Sequence, residues 1–443
     1  MNQLLRAGQK VSLESSGLEC DVQQFLGGGG QGEVYRAAVA GEAMALKWYF
    51  PQTATAEQRA RLDTLVKKGP PNNRFLWPIE IASASGVPGY GYLMPLREAR
   101  FKSLLDLMKR NVDPSFRTLL TTAIELAHSF RQLHAVGLCY CDISFGNVFF
   151  DPGTGDVLIC DNDNVVIDGA EVAVCGTPDF MAPEIVRGER SPSIATDRFS
   201  LAVLLFYLLH ICHPFWGRKV MSIHCLDLPS RTKLCGHEPV FIFDPSDRSN
   251  EAVSRQEDPS GEAGANALAF WPIYPRFVRD SFIKAFTDGI RDPQHGRVVE
   301  TVWRLIMARA RDSIVYCPYC GAENFYDAER QKQPRCWQEN CKREFPVPPR
   351  IQIEKHLVML NHDARLYPHH ISGAPTYDFS SPVAEVTRHP TNPNVWGLKN
   401  TSDSKWVCTL ADRTVRDVEP GKNVPLGRGV KIQFGKVEGE ILV

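Results

Sequence analysis

Tyr140-Cys141-Asp142-Ile143-Ser144-Phe145-Gly146-Asn147 is the stretch whose reading decides the fold. An Asn follows Asp142 by five residues, and a further carboxylate, Asp161 of Asp161-Asn162-Asp163, stands fourteen residues beyond it. A carboxylate can orient a hydroxyl and accept its proton. Amide and carboxylate oxygens suit a hard divalent cation that keeps several of its waters. Polar loop residues are common, so this spacing alone decides little. The flanks add weight. From 114 to 136 the apolar residues Phe116, Leu119, Leu120, Ala123, Ala127, Phe130 and Leu133 recur at three or four, which predicts a one-faced helix stopped at Gly137. After the stretch, the apolar runs 148–150 and 157–160 predict a short hairpin around Pro152-Gly153 that carries Asp161 back.

Upstream, Leu26-Gly27-Gly28-Gly29-Gly30-Gln31-Gly32-Glu33-Val34 holds a G-x-G-x-x-G pattern. Glycines let backbone approach phosphates where a Cβ would collide. A dinucleotide-binding fingerprint needs a helix after the glycines. Here 33–38 and 42–48 both read as strands, so a β-hairpin lid is expected instead, with Lys47 on its second strand. Leu62, Leu65 and Val66 mark the apolar face of a helix over 56–68, and strands are expected at 75–83 and 89–96.

Downstream, Gly176-Thr177-Pro178-Asp179-Phe180-Met181-Ala182-Pro183-Glu184 is the most specific string in the chain. Thr196-Asp197-Arg198-Phe199-Ser200-Leu201 then opens a helix apolar on nearly every side, which must be buried. The 443 residues leave room for two or three domains, and 50 basic against 51 acidic residues leave no net field for nucleic acid or an anionic membrane. The N-terminal stretch lacks a secretory apolar core, and the most apolar run, 200–212, is short for a bilayer. Thirteen cysteines, mostly in apolar company, read as thiols of a reducing, cytoplasmic compartment.

Taken in order, these motifs over about 12–310 resemble a eukaryotic-like (Hanks-type) Ser/Thr protein kinase domain, with an N-lobe to about 95 and a C-lobe over 96–310. More narrowly, Asp-x-Asp at 161–163 with a cysteine-rich module after the kinase is similar to bacterial kinases of tellurite-resistance-associated triads. Those accompany a PP2C-type phosphatase and a von Willebrand factor A domain protein. The resemblance implies a bilobal α+β fold and phosphoryl transfer from ATP with Mg²⁺ or Mn²⁺ to a protein substrate. It implies Asp142 as the base, Lys47 on the α- and β-phosphates, and Asn147 and Asp161 on the metal. ATP would lie against Leu26, Gly27, Gly28, Gly29, Gly30, Gln31, Gly32, Val34 and Ala45, with Met94, Pro95 and Arg97 at the hinge. Thr177 would shape the substrate platform, Glu184 would pair with Arg297, and Asp197 would accept N–H groups of the catalytic loop. Lys47 would be held by an acid of the 56–68 helix; Asp63 and Glu57 are both candidates.

The departures are specific. Tyr140-Cys141 replaces His-Arg, which removes the arginine that would meet a phosphorylated activation loop. Ser144 stands where a lysine is usual, and Asn162-Asp163 replaces Phe-Gly, with Asp163 expected to cap a turn in preference to its alternative, a further metal ligand. A long insertion follows His213-Pro214-Phe215, and its polar part 244–266 is expected to be a mobile loop.

In the tail, Cys317, Cys320, Cys336 and Cys341 form two close pairs fifteen residues apart, the pattern of a zinc ribbon over 313–346 with a closed structural Zn²⁺ site. Beyond the proline-rich 345–349 linker, alternation at Val430, Ile432 and Phe434 and frequent turn residues predict a small β-sandwich over 350–443. It is loosely similar to forkhead-associated domains, without their ordered phosphothreonine-binding residues. His369-His370 are expected as surface residues there. Three function classes remain: an active protein kinase, a pseudokinase scaffold recruiting partners through its tail, and a small-molecule kinase. The 176–184 string, a peptide platform, disfavours the last.

Overall fold

The computed structural model describes residues 3–170, 176–330, 333–373, 376–392 and 395–443. The chain divides into two compact units: Met1–Asp113, Glu125–Gly264 and Lys284–Glu300 form one, and Pro114–Ile124, Ala265–Ile283 and Thr301–Val443 the other.

The first unit begins with six antiparallel strands: β1 (Lys10–Leu13), β2 (Glu19–Gly28), β3 (Gly32–Val39), β4 (Glu42–Tyr49), β5 (Glu80–Ser83) and β6 (Gly91–Pro95). They close into a barrel in the order β1-β2-β3-β4-β6-β5. β1 makes the closure by pairing with both β2 and β5. Alternate residues Val11, Leu13, Val22, Tyr35, Leu46 and Trp48 fill the barrel. Only 80–83 of the expected strand 75–83 is extended in the sheet, because Phe75 bridges to Ile159 instead. Helix α1 (Ala56–Lys68) packs on the barrel's other face through Leu62, against Ala45, Tyr49, Tyr92 and Met94. Thr55 caps it by accepting from the Gln58 N–H, and Lys67 and Lys68 in its last turn complement the helix dipole.

The unit continues through β7 (Lys102–Ser103), α2 (Leu104–Met108), the part of α3 (Phe116–Ala135) from Glu125 onward, β8 (Leu138–Cys139), β9 (Val148–Phe150), β10 (Val157–Ile159), β11 (Val166–Ile167), α4 (Pro183–Val186), α5 (Ile194–His210) and α6 (Leu228–Thr232). α5 is buried around its whole circumference, as its composition requires. Residues 244–264 are not a loose loop. The fully buried Asn250 donates to the Phe215 and Val240 carbonyls at 2.9 and 2.7 Å and accepts from the Lys219 N–H at 3.0 Å. Composition predicted solvation, but one buried amide satisfying three backbone groups holds this polar segment in place.

Four helices follow, α7 (Ala265–Phe270), α8 (Arg276–Phe286), α9 (Asp288–Arg291) and α10 (Glu300–Asp312). In the second unit, β12 (Ile314–Tyr316) pairs with β13 (Glu323–Phe325). Phe116, Tyr274, Phe325 and Trp337 form an aromatic cluster beside this hairpin. Phe345 is not part of a free tether: it is buried in one core with Val315, Cys317, Cys336 and Met359. The strands β14 (Arg350–Ile353), β15 (His356–Met359), β16 (Arg365–Leu366), β17 (Ala384–Arg388), β18 (Trp396–Asn400), β19 (Trp406–Thr409), β20 (Val415–Val418), β21 (Asn423–Pro425), β22 (Lys431–Gln433) and β23 (Glu438–Leu442) make two sheets. Their orders are β15-β14-β23-β22-β19-β20 and β16-β17-β18-β21. Ile351, Leu398, Trp406, Ile432 and Ile441 share the core of this strand-rich region.

His369 and His370 correct an expectation. Both are buried on α11 (Pro368–Ser372) rather than exposed. His370 Nδ1 accepts from the Tyr367 N–H at 2.9 Å, and its Nε2 faces Asp312 Oδ2 at 3.1 Å. His369 finds no hydrogen-bond partner among the described residues, and burial pushes it down to about 3, so it is neutral. No helix among the described residues is long and apolar enough to cross a membrane.

Candidate active site

Strand periodicity builds the upper half of the site. Ala45, Lys47 and Tyr49 alternate along β4 onto one face, and in the sheet register Val34 and Tyr92 flank Lys47 on either side. Lys47 is 4 % exposed, so its charge demands partners. It finds them in the loop after β10. Its Nζ lies 2.9 and 3.0 Å from the two oxygens of Asp163 and 3.5 Å from Asp161 Oδ1.

This geometry corrects two expectations. Neither helix candidate holds Lys47: Asp63 is 46 % exposed and lies 3.9 Å from Arg59 one turn away, and Glu57 is exposed in the first turn of α1. The buried polar residue of α1 is Gln58, which donates to the Tyr49 hydroxyl at 2.9 Å and to the Asp163 carbonyl at 3.3 Å. Asp163 is not a turn cap but a fully buried carboxylate, receiving hydrogen bonds from Tyr49 and Tyr92 as well as from Lys47. Burial alone would push Asp163 up and Lys47 down. Their mutual attraction outweighs burial, leaving Asp163 below and Lys47 above the ordinary values. Both therefore stay charged.

Asp161 adopts the left-handed region, with φ 48°, uncommon for a residue with a Cβ, and its side chain is 44 % exposed beside Lys47. Asn162 is buried and donates to the Leu76 and Ile159 carbonyls, each at 2.9 Å, which ties the loop to neighbouring backbone. Across from it, Asp142 is bracketed. Thr177 Oγ1 donates to Asp142 Oδ1 at 2.8 Å, and Asn147 Nδ2 donates to its Oδ2 at 3.0 Å and its carbonyl at 2.9 Å. Gly176 makes the approach of Thr177 feasible: its φ is 93°, and a Cβ would stand 2.6 Å from the Cys141 carbonyl oxygen. The preceding residues 171–175 of the expected activation segment lie outside the described residues.

At one position of the glycine loop, strand packing itself demands a glycine. Leu26, Gly27 and Gly28 belong to β2, with a register shift between Phe25 and Gly27, and Gly29, Gly30 and Gln31 turn the chain. Gly32 is demanded by strand packing, since a Cβ there would stand 2.1 Å from the Trp48 carbonyl oxygen. Gln31 reaches inward, its Oε1 accepting from Lys47 Nζ at 3.2 Å and its Nε2 donating to Asn164 at 3.0 Å. Met94 pairs with Ala45 across β6 and β4, and Pro95 ends the strand. The Arg97 guanidinium lies over Phe149, 4.2 Å from the ring centre, and donates to the Phe101 carbonyl.

Beneath the Asp142 loop, Asp197 of α5 accepts from the Tyr140 and Cys141 N–H groups at 2.5 and 3.0 Å. Glu184 Oε1 lies 2.6 Å from Arg297 Nη2, both buried. Sequence reasoning missed His134, at the end of α3. Its two ring nitrogens face Asp197 at 3.1 Å and Glu300 at 2.8 Å, the geometry of an imidazolium. Burial would lower it, but the two carboxylates raise it to about 9, and Glu300 is correspondingly held at about 2. A hint was available for Tyr49, two residues from Lys47 on one strand face. None existed for His134, whose partners are 63 and 166 residues away.

In the second unit the four sulfurs of Cys317, Cys320, Cys336 and Cys341 all lie within 4.8 Å of one another. Gly321 and Lys342, with φ of 75° and 50°, turn the chain back after each pair. Four convergent thiols are the donor set that suits a tetrahedral soft-ligand metal.

The family model of the protein kinase domain matches residues 20–256, more than half of the chain. The chain belongs to the protein kinase domain family. Similar curated proteins are protein kinases by name, the first of them a serine/threonine-protein kinase. A cell cycle serine/threonine-protein kinase of Saccharomyces cerevisiae is 33% identical over 138 residues, 28% of this chain and 18% of its own length. Protein kinase C delta type of Mus musculus is 35% identical over 99 residues, 21% of this chain and 14% of its own. CBL-interacting protein kinase 4 of Oryza sativa subsp. japonica is 26% identical over 183 residues, 40% and 38% of the two chains. The chain thus spans less than two fifths of the length of each relative.

Proposed function

We propose that this chain is an ATP-dependent Ser/Thr protein kinase that transfers the γ-phosphoryl group to a partner protein. One observation carries the reading: a buried cation, Lys47, stands against Asp161, which feels the charge of an Asp142 carboxylate oriented by Asn147 and Thr177. Asp142 orients the substrate hydroxyl and takes its proton; Lys47 holds the phosphates. The half-exposed Asp161 carboxylate and the Asn147 amide offer oxygens that fit Mg²⁺ or Mn²⁺, which when bound neutralises phosphate charge. The nucleotide would lie under 26–32 and Val34, against Ala45 and the 94–97 hinge.

The four tail cysteines fit a structural Zn²⁺, which would hold the 313–346 turns together without an open position for catalysis. The triad resemblance suggests a von Willebrand factor A domain protein as a partner and an opposing PP2C-type phosphatase, in a cytoplasmic setting.

A nucleotide-binding scaffold is the competing reading. Ser144, buried where a lysine is usual, favours it. Labelling of a candidate partner with radiolabelled ATP and Mg²⁺ separates the two. Wild type is expected to transfer label, and Asp142→Asn to lose about 10³-fold or more in rate. Equal residual labelling by both would make the chain a scaffold.

A further inference from the structure

Lys47 needs a fixed acid, and the helix that was expected to supply one does not. Among the residues of α1, those buried are Gln58, Leu62 and Leu65, none of them acidic. The geometry points to Asp163 as the positioning residue for Lys47, an anchor moved from the helix to the loop that also carries Asp161. This rests on the kinase reading above and adds to it how the phosphate-binding lysine is held and controlled.

Three observations support it. Both Asp163 oxygens lie within 3.0 Å of Lys47 Nζ, and the carboxylate is fully buried, so no water competes. Among the described residues Lys47 pairs with two carboxylates, Asp161 and Asp163, so an added helix acid would leave an excess negative charge in a buried cluster. Asp163 is itself held, by the Tyr49 and Tyr92 hydroxyls, while neighbouring Asn162 is tied to the Leu76 and Ile159 carbonyls. One pinned loop therefore places the metal-side carboxylate and the lysine anchor together. Gln58 touches this cluster only through neutral hydrogen bonds. A displacement of α1 would leave the Lys47–Asp163 ion pair intact, so control of this kinase would not run through breaking a lysine–helix bridge.

The test compares full-length wild type, Asp163→Asn, Lys47→Met, their double variant, and Asp163→Asn with Gln58→Glu, measuring kcat and KM for ATP. Asp163→Asn should cost about 10²-fold in kcat, in the range seen when one preorganised electrostatic contact is lost. Lys47→Met added to it should cost no more than Lys47→Met alone, since the two act as a unit. Gln58→Glu, returning an acid from the helix, should recover about tenfold, which a purely structural role of Asp163 would not give. A folded Asp163→Asn within about twofold of wild-type kcat, or losses that multiply in the double variant, overturns the proposal. If Asp163→Asn does not fold, recovery of folding and transfer by Gln58→Glu supports it, and a folded pair no faster than Lys47→Met overturns it. A wild type without any transfer brings down the kinase reading itself, and this inference with it.

Discussion

The cluster around Lys47 and the cysteine cluster of the tail are assembled in opposite ways. Lys47, Asp142, Asp161, Asp163 and Thr177 come from four places across 131 residues, and barrel, loop and buried helix must all be formed before they meet. The four cysteines come from two turns within 25 residues, packed with Val315, Phe345 and Met359 in one small core. A distributed site inherits the stability of the whole unit and is tuned by residues far from it. A local site with a small core draws more of its stability from what it binds.

Removing the proposed metal should sharpen that contrast most. Cys317→Ser with Cys320→Ser is expected to abolish stoichiometric zinc and unfold the 313–346 turns, since a structural zinc contributes on the order of 10 kcal/mol in small modules. Metal analysis with limited proteolysis reads this out; full zinc retention would break the comparison. In the first unit, Glu184→Ala should destabilise by about 3–5 kcal/mol in denaturant titration, because Arg297 is left charged and buried.

A smaller effect follows from His134. Its pKa is raised from 6.5 to about 9, so its contribution is fully present below about 6.5 and is lost as pH rises through 9. Thermal melts of the wild type should weaken over that window, and His134→Gln should flatten the slope; an unchanged slope would show that the imidazolium contributes nothing. The smallest expected effect is at Asp63. Asp63→Ala should change stability by less than about 0.5 kcal/mol and leave kcat unchanged, since Asp63 is half exposed and far weaker as a partner than Asp163. A large loss of kcat would return the anchor to the helix.

Much of the frame could be read from local pattern. The 56–68 periodicity gives a helix with those bounds, and the 148–160 hairpin lies where its apolar runs place it. Barrel closure was not legible, because β1 meets β5 across 70 residues and a four-residue strand carries no register signal. Nor were the burial of Asn250, His369 and His370: polar residues read as solvent-facing until a fold surrounds them. Asp163 was visible as a departure, but a short acid in a loop reads as a turn cap unless a buried cation is known to lie above it.

By itself, the sequence determined which chemistry this protein carries: a carboxylate and amide at loop spacing, a lysine on a strand, four thiols on two turns. These are written in residue type and short separation, where covalent geometry keeps neighbours near one another. Only the tertiary structure decided which charge answers which. Lys47 and Asp163 are 116 residues apart, and burial, which follows from the complete packing of barrel and loop, is what turns their proximity into an obligatory pair.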